Sequence, residues 1–399
     1  MKINKSQNGI TLIALVVTII ILLILAGISI TMLTGQNGIL NRAQEAKEKT
    51  KIAQENENKK LQEYEDVINK YRELPKEEGT TPYLPNDTFS YKEGDLSTGL
   101  VIKDANNNEY VWVEVPTTIY TDSQYNTKGT PSNADDWEKI RDCLKEYTED
   151  YSNLSYQDTD GTTYTADYKN MLKSVYTNGG FWIGRYEAGI EERKNPRTEY
   201  TGLTVSDKAV VKSNMYPYNY VKRDEAQELA ERMNYSGVTS SLIYGVQWDC
   251  ILKYIESKNV TTKDKLISDS TTIGNYYNSE FTLNKGKFAQ YNELSNWFDY
   301  NSEDKTDLVT GSKKKAQSSS SNAILLTTGA TEVAKLKNIY DIAGNVWEWT
   351  RDFFSADSPC VFRGGSYGNI GSNHPAGYRN NNATSFCVSN IGFRVGLWK

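Results

Sequence analysis

The sequence is poor in histidine: of 399 residues, only His374 carries an imidazole. That excludes a two-histidine metal site and leaves little room for a histidine-dependent triad or proton relay. Cysteine is scarce too. Cys143, Cys250, Cys360 and Cys387 include no C-x-x-C pair, so a zinc or redox motif is not expected. They read as buried thiols, with a Cys360–Cys387 disulfide open to a chain outside the cytoplasm. Positive charge is not in excess. The net charge is −6, and no strong basic field points to nucleic acid as a partner. Aromatics, by contrast, are plentiful. The 28 Tyr and 8 Trp can fill a core or dress a binding surface, and composition does not say which.

Charge is missing altogether from Ile10 to Met32, ITLIALVVTIIILLILAGISITM. As a helix at 1.5 Å per residue this run reaches about 35 Å, enough for a ~30 Å hydrocarbon core. It is longer than a signal-peptide core. The expectation is a single-pass cell-membrane protein with a transmembrane helix at 10–33. Lys2 and Lys5 precede the run, and Arg42, Lys47, Lys49 and Lys51 follow it. Counted alone, these would put the C-terminal side in the cytoplasm. However, the stretch KSQNGITLIA at 5–14 resembles a type IV prepilin leader: short, basic, ending in Gly and running into an apolar helix. The resemblance implies a leader at 1–9, cleavage after Gly9 by a prepilin peptidase, other pilin subunits as partners and an extracytoplasmic C-terminal body. Pilins usually carry Glu at the fifth mature position, and here that position is Ala14. The departure favours a minor pilin or a surface anchor over a filament-building subunit, since a carboxylate within the membrane is what meets a neighbouring subunit in that family.

Residues 34–78 are expected to form a helical stalk and linker. From Ile39 to Leu74 the chain is rich in Ala, Glu, Lys and Gln without internal Gly or Pro. Pro75, Gly79, Pro82 and Pro85 then mark a break. The body, 79–399, is expected to be α+β and rich in loops. YVWVEV at 110–115 alternates like a half-buried strand. Trp137/Ile140/Leu144/Tyr147, Ala226/Leu229/Ala230/Met233 and Trp248/Ile251/Leu252/Ile255 are spaced as the apolar faces of three helices. GSKKKAQSSSS at 311–321 reads as a surface loop.

Several motifs then occur in order. They are FWIGRYEAG from Phe181, VQWD at 246–249, NIYDIAGNVWEWT at 338–350, RGGSY at 363–367 and IGFR at 391–394. On an extended stretch Trp347 and Trp349 share one face and Glu348 takes the other. The two glycines of RGGSY suit a turn or a close backbone approach. In order and spacing the set resembles the formylglycine-generating-enzyme (sulfatase-modifying factor) family, over about residues 95–399. The resemblance implies a C-type-lectin-like fold. It also implies a structural calcium ion (Ca2+) held by the Asp341 side chain, the carbonyls of Gly344 and Val346, and the Glu348 carboxylate, an all-oxygen set suited to a hard cation.

Oxidases of that family use a cysteine pair just after the Gly-Gly-Ser-Tyr turn. Here Asn369 and His374 stand two and seven residues past Tyr367, and neither is a thiol. Thiolate–copper chemistry needs its thiols at the metal, and a three-histidine iron site is excluded by count. The chain is therefore expected not to be an enzyme. The segment after the turn is rich in adaptable polar and aromatic groups. Tyr367, Asn369, Asn373, His374, Tyr378, Asn380, Asn381, Asn382, Ser385 and Phe386 are the candidate residues for a protein or glycan ligand. The segment also resembles the variable regions that diversity-generating retroelements rewrite in some proteins of this fold. A plain polar loop is the simpler reading, because Asn favours turns. Three functional readings stand at this point: an anchored recognition module, a structural pseudopilin of a pilus or secretion machine, and an enzyme with altered chemistry.

Overall fold

The chain divides into two compact units, Met1–Ile68 and Asn69–Lys399. The structure is a computed structural model. It describes residues 12–34, 39–70, 73–158, 164–191, 196–283, 288–291, 297–299, 313–314 and 324–399. In the first unit, composition decides the conformation: the uncharged run forms helix α1 (Leu12–Thr34) and the charged, Gly-free run forms α2, which begins at Ile39 and extends to Lys70. The expected single-pass membrane localisation is overturned, because among the described residues no helix is long and apolar enough to cross a membrane. A pilin-like transmembrane helix is thus not supported either. The leader expected at 1–9 and its cleavage junction lie outside the described residues.

The second unit is built on ten principal strands and four helices. The strands are β1 (Ser90–Glu93), β2 (Val101–Lys103), β3 (Glu109–Glu114), β4 (Gly180–Gly184), β5 (Thr239–Leu242), β6 (Trp347–Trp349), β7 (Cys360–Arg363), β8 (Arg379–Asn382), β9 (Ile391–Phe393) and β10 (Val395–Trp398). The helices are α3 (Trp137–Tyr147), α4 (Ala166–Asn178), α5 (Arg223–Glu231) and α6 (Gly245–Ser257). One sheet runs β1-β2-β3-β4-β10-β5, and a four-stranded sheet runs β8-β7-β6-β9. The fold is thus mixed helix and sheet, with largely antiparallel sheets. The pairing of β6 with β9 is parallel.

The three helical spacings read from the sequence all form helices. In α3, Ile140, Leu144 and Tyr147 are buried; in α5, Ala226, Leu229 and Ala230; in α6, Trp248, Ile251, Leu252 and Ile255. Met233 lies just past the end of α5. Strand β3 departs from expectation. Instead of one dry and one wet face, Tyr110, Val111, Trp112 and Val113 are all buried. Val111 and Val113 pack into a core with Trp248 and Ile251, while Tyr110 and Trp112 pack into another with Leu229 and Trp349. Each face is covered, so both side-chain sets leave water, at about 1.5–3 kcal/mol for each large apolar side chain. Trp112 pairs with Trp182 of β4, and their rings meet at 5.0 Å and 66°. Of the expected loop at 311–321, only Lys313 and Lys314 are described, and they pair with Leu283 and Thr282.

Candidate functional site

Strand β6 anchors the region. Its two tryptophans lie on one side, and each ring meets Phe362 of β7 at 5.1 Å, edge to face. Glu348, between them, is fully buried on the other side. Arg394 donates from Nε to Glu348 Oε2 at 3.0 Å and from Nη2 to Oε1 at 2.6 Å. The same guanidinium reaches the carbonyls of Gly184 at 2.9 Å and Tyr340 at 2.8 Å. Burying a carboxylate is tolerable here because its partner is bidentate and hydrogen-bonded.

Two more carboxylates lie in the same interior. Glu187 accepts from the Val346 N–H at 3.0 Å and from Asn345 Nδ2 at 2.6 Å. Asp341 Oδ2 accepts from the Gly329 N–H at 2.9 Å, while Oδ1 is buried without a hydrogen bond. Burial pushes the Asp341 carboxyl up to about 7. It also raises Glu187, with the neighbouring Asp341 and Glu348 charges adding to the effect.

These contacts test the expected calcium set. Asp341 has an oxygen to offer, but both oxygens of Glu348 are spent on Arg394, which already supplies the positive charge. The loop also has its own tethers. Gly344 N–H donates to the Gly364 carbonyl at 2.8 Å, and Asn345 Oδ1 accepts from Asn275 Nδ2 at 2.9 Å and Leu326 N–H at 3.0 Å. Asp341, Gly344, Val346 and Glu348 therefore do not fit a calcium ion as a set. Among the described residues, no group of three or more His, Cys, Asp or Glu is arranged to hold a metal ion.

The candidate ligand residues divide by the pleat of β8, the end strand of its sheet. Asn380 lies opposite Phe362 and Asn382 opposite Cys360, so both face the side of the two tryptophans. His374 and Tyr378 join them there. The His374 ring meets Trp347 at 5.5 Å and Tyr378 at 4.7 Å, and Tyr378 is 39% exposed. Burial lowers the His374 pKa, favouring the neutral ring. Phe386, half-buried, stacks on Phe362 at 5.8 Å. Asn381 points the other way and donates to the Tyr156 hydroxyl at 3.0 Å. Asn373 and Ser385 are exposed.

Tyr367 and Asn369 prove to be framework. Tyr367 is buried with its hydroxyl donating to Ser389 Oγ at 3.0 Å, and Asn369 Oδ1 accepts from Ser366 Oγ at 2.7 Å. The turn that places them needs its glycine. Gly365 has φ +76°, and a Cβ there would sit 2.3 Å from the His374 carbonyl oxygen. All four cysteines are free thiols, Cys387 half-buried and the others buried, so the Cys360–Cys387 bridge is not formed.

Sequence reasoning missed a second ionic cluster beneath β8. Asp249 accepts from Arg363 Nη2 at 2.8 Å and from Arg379 Nη2 at 2.5 Å, with Asp352 beside them. VQWD and RGGSY were visible as motifs, but nothing local links residues 249 and 363.

Comparisons with known proteins place the C-terminal part. Residues 270–397 match the family model of the sulfatase-modifying factor enzyme 1-like domain. Among solved structures, the chain is similar to Treponema denticola variable protein 1, at 14% identity and a TM-score of 0.30, over 55% of this chain and 85% of that one. Comparison with the curated proteins finds no match.

Proposed function

We propose that the C-terminal body is a non-catalytic recognition module of C-type-lectin-like type. It binds a protein or glycan through the surface formed by His374, Tyr378, Asn380, Asn382 and Phe386. The observation that carries this reading is the side-by-side placement of an exposed tyrosine, a histidine and two half-exposed asparagines over a rigid aromatic base of Trp347 and Phe362. Aromatic rings give contact area at low entropic cost, and amides give donors and acceptors. The order of the motifs along adjoining strands β6, β7 and β9 supports the lectin-like fold. Asn369 and His374 at the positions of the family's thiols support a binding role over oxidation.

The test is an array of glycans and surface proteins probed with the whole chain. Tyr378→Ala combined with Asn380→Ala and Asn382→Ala is expected to remove any specific signal while the far-UV spectrum stays unchanged. A signal indifferent to all three changes sinks the surface. Copper-dependent oxidation of a cysteine-containing peptide by the chain would overturn the non-catalytic reading.

A further inference from the structure

The opposite face of β8 borders a groove of about 510 Å³ between α3, the segment 148–158, the start of α6 and β8 itself. That volume lies within the roughly 300–1,000 Å³ usual for small-ligand sites. Its floor is the second ionic cluster, and that cluster is incomplete. Asp352 is 3% exposed, and its Oδ2 lies 3.6 Å from Arg363 Nη1 and 3.9 Å from Arg379 Nε. Both separations exceed hydrogen-bonding reach. Asp352 Oδ2, Arg379 Nε and Arg363 Nη1 have no hydrogen-bond partner. An acceptor and two donors thus face one another, unmet, at the base of a groove. Buried polar groups are rarely left so without a reason.

The chain makes room for this carboxylate. A Cβ at Gly245, the first residue of α6, would lie 1.6 Å from Asp352 Oδ1. Any larger residue there would drive Asp352 out. The remaining arginine bonds are fixed: Arg379 Nη1 donates to the Tyr151 carbonyl at 2.7 Å and its Nη2 to Asp249. The walls carry two tyrosines backed by other rings. Tyr156 packs on Phe354 at 4.9 Å and Tyr164 on Trp137 at 4.8 Å.

The chemistry of the occupant is set by the unmet atoms. Five acidic and three basic side chains line the groove, and Arg363 beneath adds a further cation, so charge is nearly balanced. A cation drawn to Asp352 would meet two guanidinium groups, and an anion drawn to Arg379 would meet two carboxylates. A hydroxyl answers both, accepting from an N–H and donating to a carboxylate in the same place. Tyrosine rings beside it suit the C–H face of a sugar ring. We propose that the groove beside Asp352 and Arg379 binds a neutral polyhydroxylated ligand, a saccharide, with one hydroxyl bridging the arginine and the carboxylate. This site is separate from the surface around Tyr378, because Arg379 and Asn381 face away from Asn380 and Asn382 across the strand.

Saturation-transfer NMR on the full chain tests it, with maltose, lactose, cellobiose and N,N′-diacetylchitobiose as neutral probes and spermidine and inorganic phosphate as charged ones. At least one disaccharide is expected to show transfer to its ring protons. Arg379→Lys keeps the charge but removes Nε, and should weaken that binding at least tenfold. Tyr156→Ala should weaken it similarly, while Tyr156→Phe retains it. Near-UV circular dichroism checks that each variant is folded. No transfer to any disaccharide, transfer only to spermidine or phosphate, or a saccharide signal that survives both Arg379→Lys and Tyr156→Ala overturns the proposal.

Discussion

Two of the ionic clusters that the protein buries are finished to different degrees. Around Arg394 the guanidinium is used on every nitrogen: two bonds to Glu348 and one each to the Gly184 and Tyr340 carbonyls. Around Asp249 and Asp352 the charges are near one another, but four polar atoms are left over: Asp352 Oδ2, Arg379 Nε, and Nε and Nη1 of Arg363. The Arg394–Glu348 pair ties three distant parts of the chain together, and its guanidinium has no nitrogen left for a ligand. The second borders a groove. Completeness of hydrogen bonding therefore separates a fastening from a place where chemistry from outside can enter.

The largest effect that would break this contrast is at Arg394. Arg394→Ala strands Glu348 in the core and should cost about 3–5 kcal/mol, read from the midpoint of urea unfolding. A loss below about 1 kcal/mol would mean the pair is not a fastening.

Next comes the pH dependence of Asp341. Burial raises its folded pKa from 3.8 to about 7, so between those values the folded chain holds a proton that the unfolded chain has released. The stabilising contribution is full below about pH 4 and is lost as pH rises through 7, on the order of a few kcal/mol. Asp341→Asn should flatten the unfolding profile over that window and raise stability at pH 8; an unchanged slope would show the site to be solvated.

Arg379→Ala should cost less than the change at Arg394, about 1.5–3 kcal/mol. Arg363 still holds Asp249, and Asp352, whose pKa burial pushes up to about 6, can take a proton. Equal losses at the two arginines, measured by the same urea titration, would erase the distinction. The smallest effect is the expected absence of one. EGTA should leave the melting temperature unchanged, because both Glu348 oxygens already accept from Arg394; a drop of several degrees would restore calcium to the loop.

How far the sequence could be read depends on the range of each interaction. Helices α3, α5 and α6 were legible because their apolar positions recur every three or four residues. Strand β3 was half-legible: alternation was there, but the second covering layer comes from residues far along the chain, so its outer face was misjudged. Trp347 and Trp349 sharing a face, with Glu348 opposite, followed from the pleat alone. What Glu348 binds did not, although IGFR was in view, since a guanidinium 46 residues away is no local signal. The asparagine-rich segment stood out as a run. Its division into His374, Tyr378, Asn380 and Asn382 on one face, Asn381 on the other and Tyr367 in the framework needed the register of β7 against β8.

Strand β8 has one more property. The Thr350 N–H takes the Val361 carbonyl at 3.0 Å, so Val361 turns toward β6 and its partner Asn381 directs its own N–H away from the sheet. That N–H is met at 2.9 Å by the Asn380 side chain, and the Ala383 N–H at 2.9 Å by Asn382. An open row of N–H groups on an end strand is a template for another chain to add to. The two asparagines close that row with their own amides. Replacing them with β-branched residues would alter more than ligand contact: it would uncover a seam along which copies of the protein could polymerise.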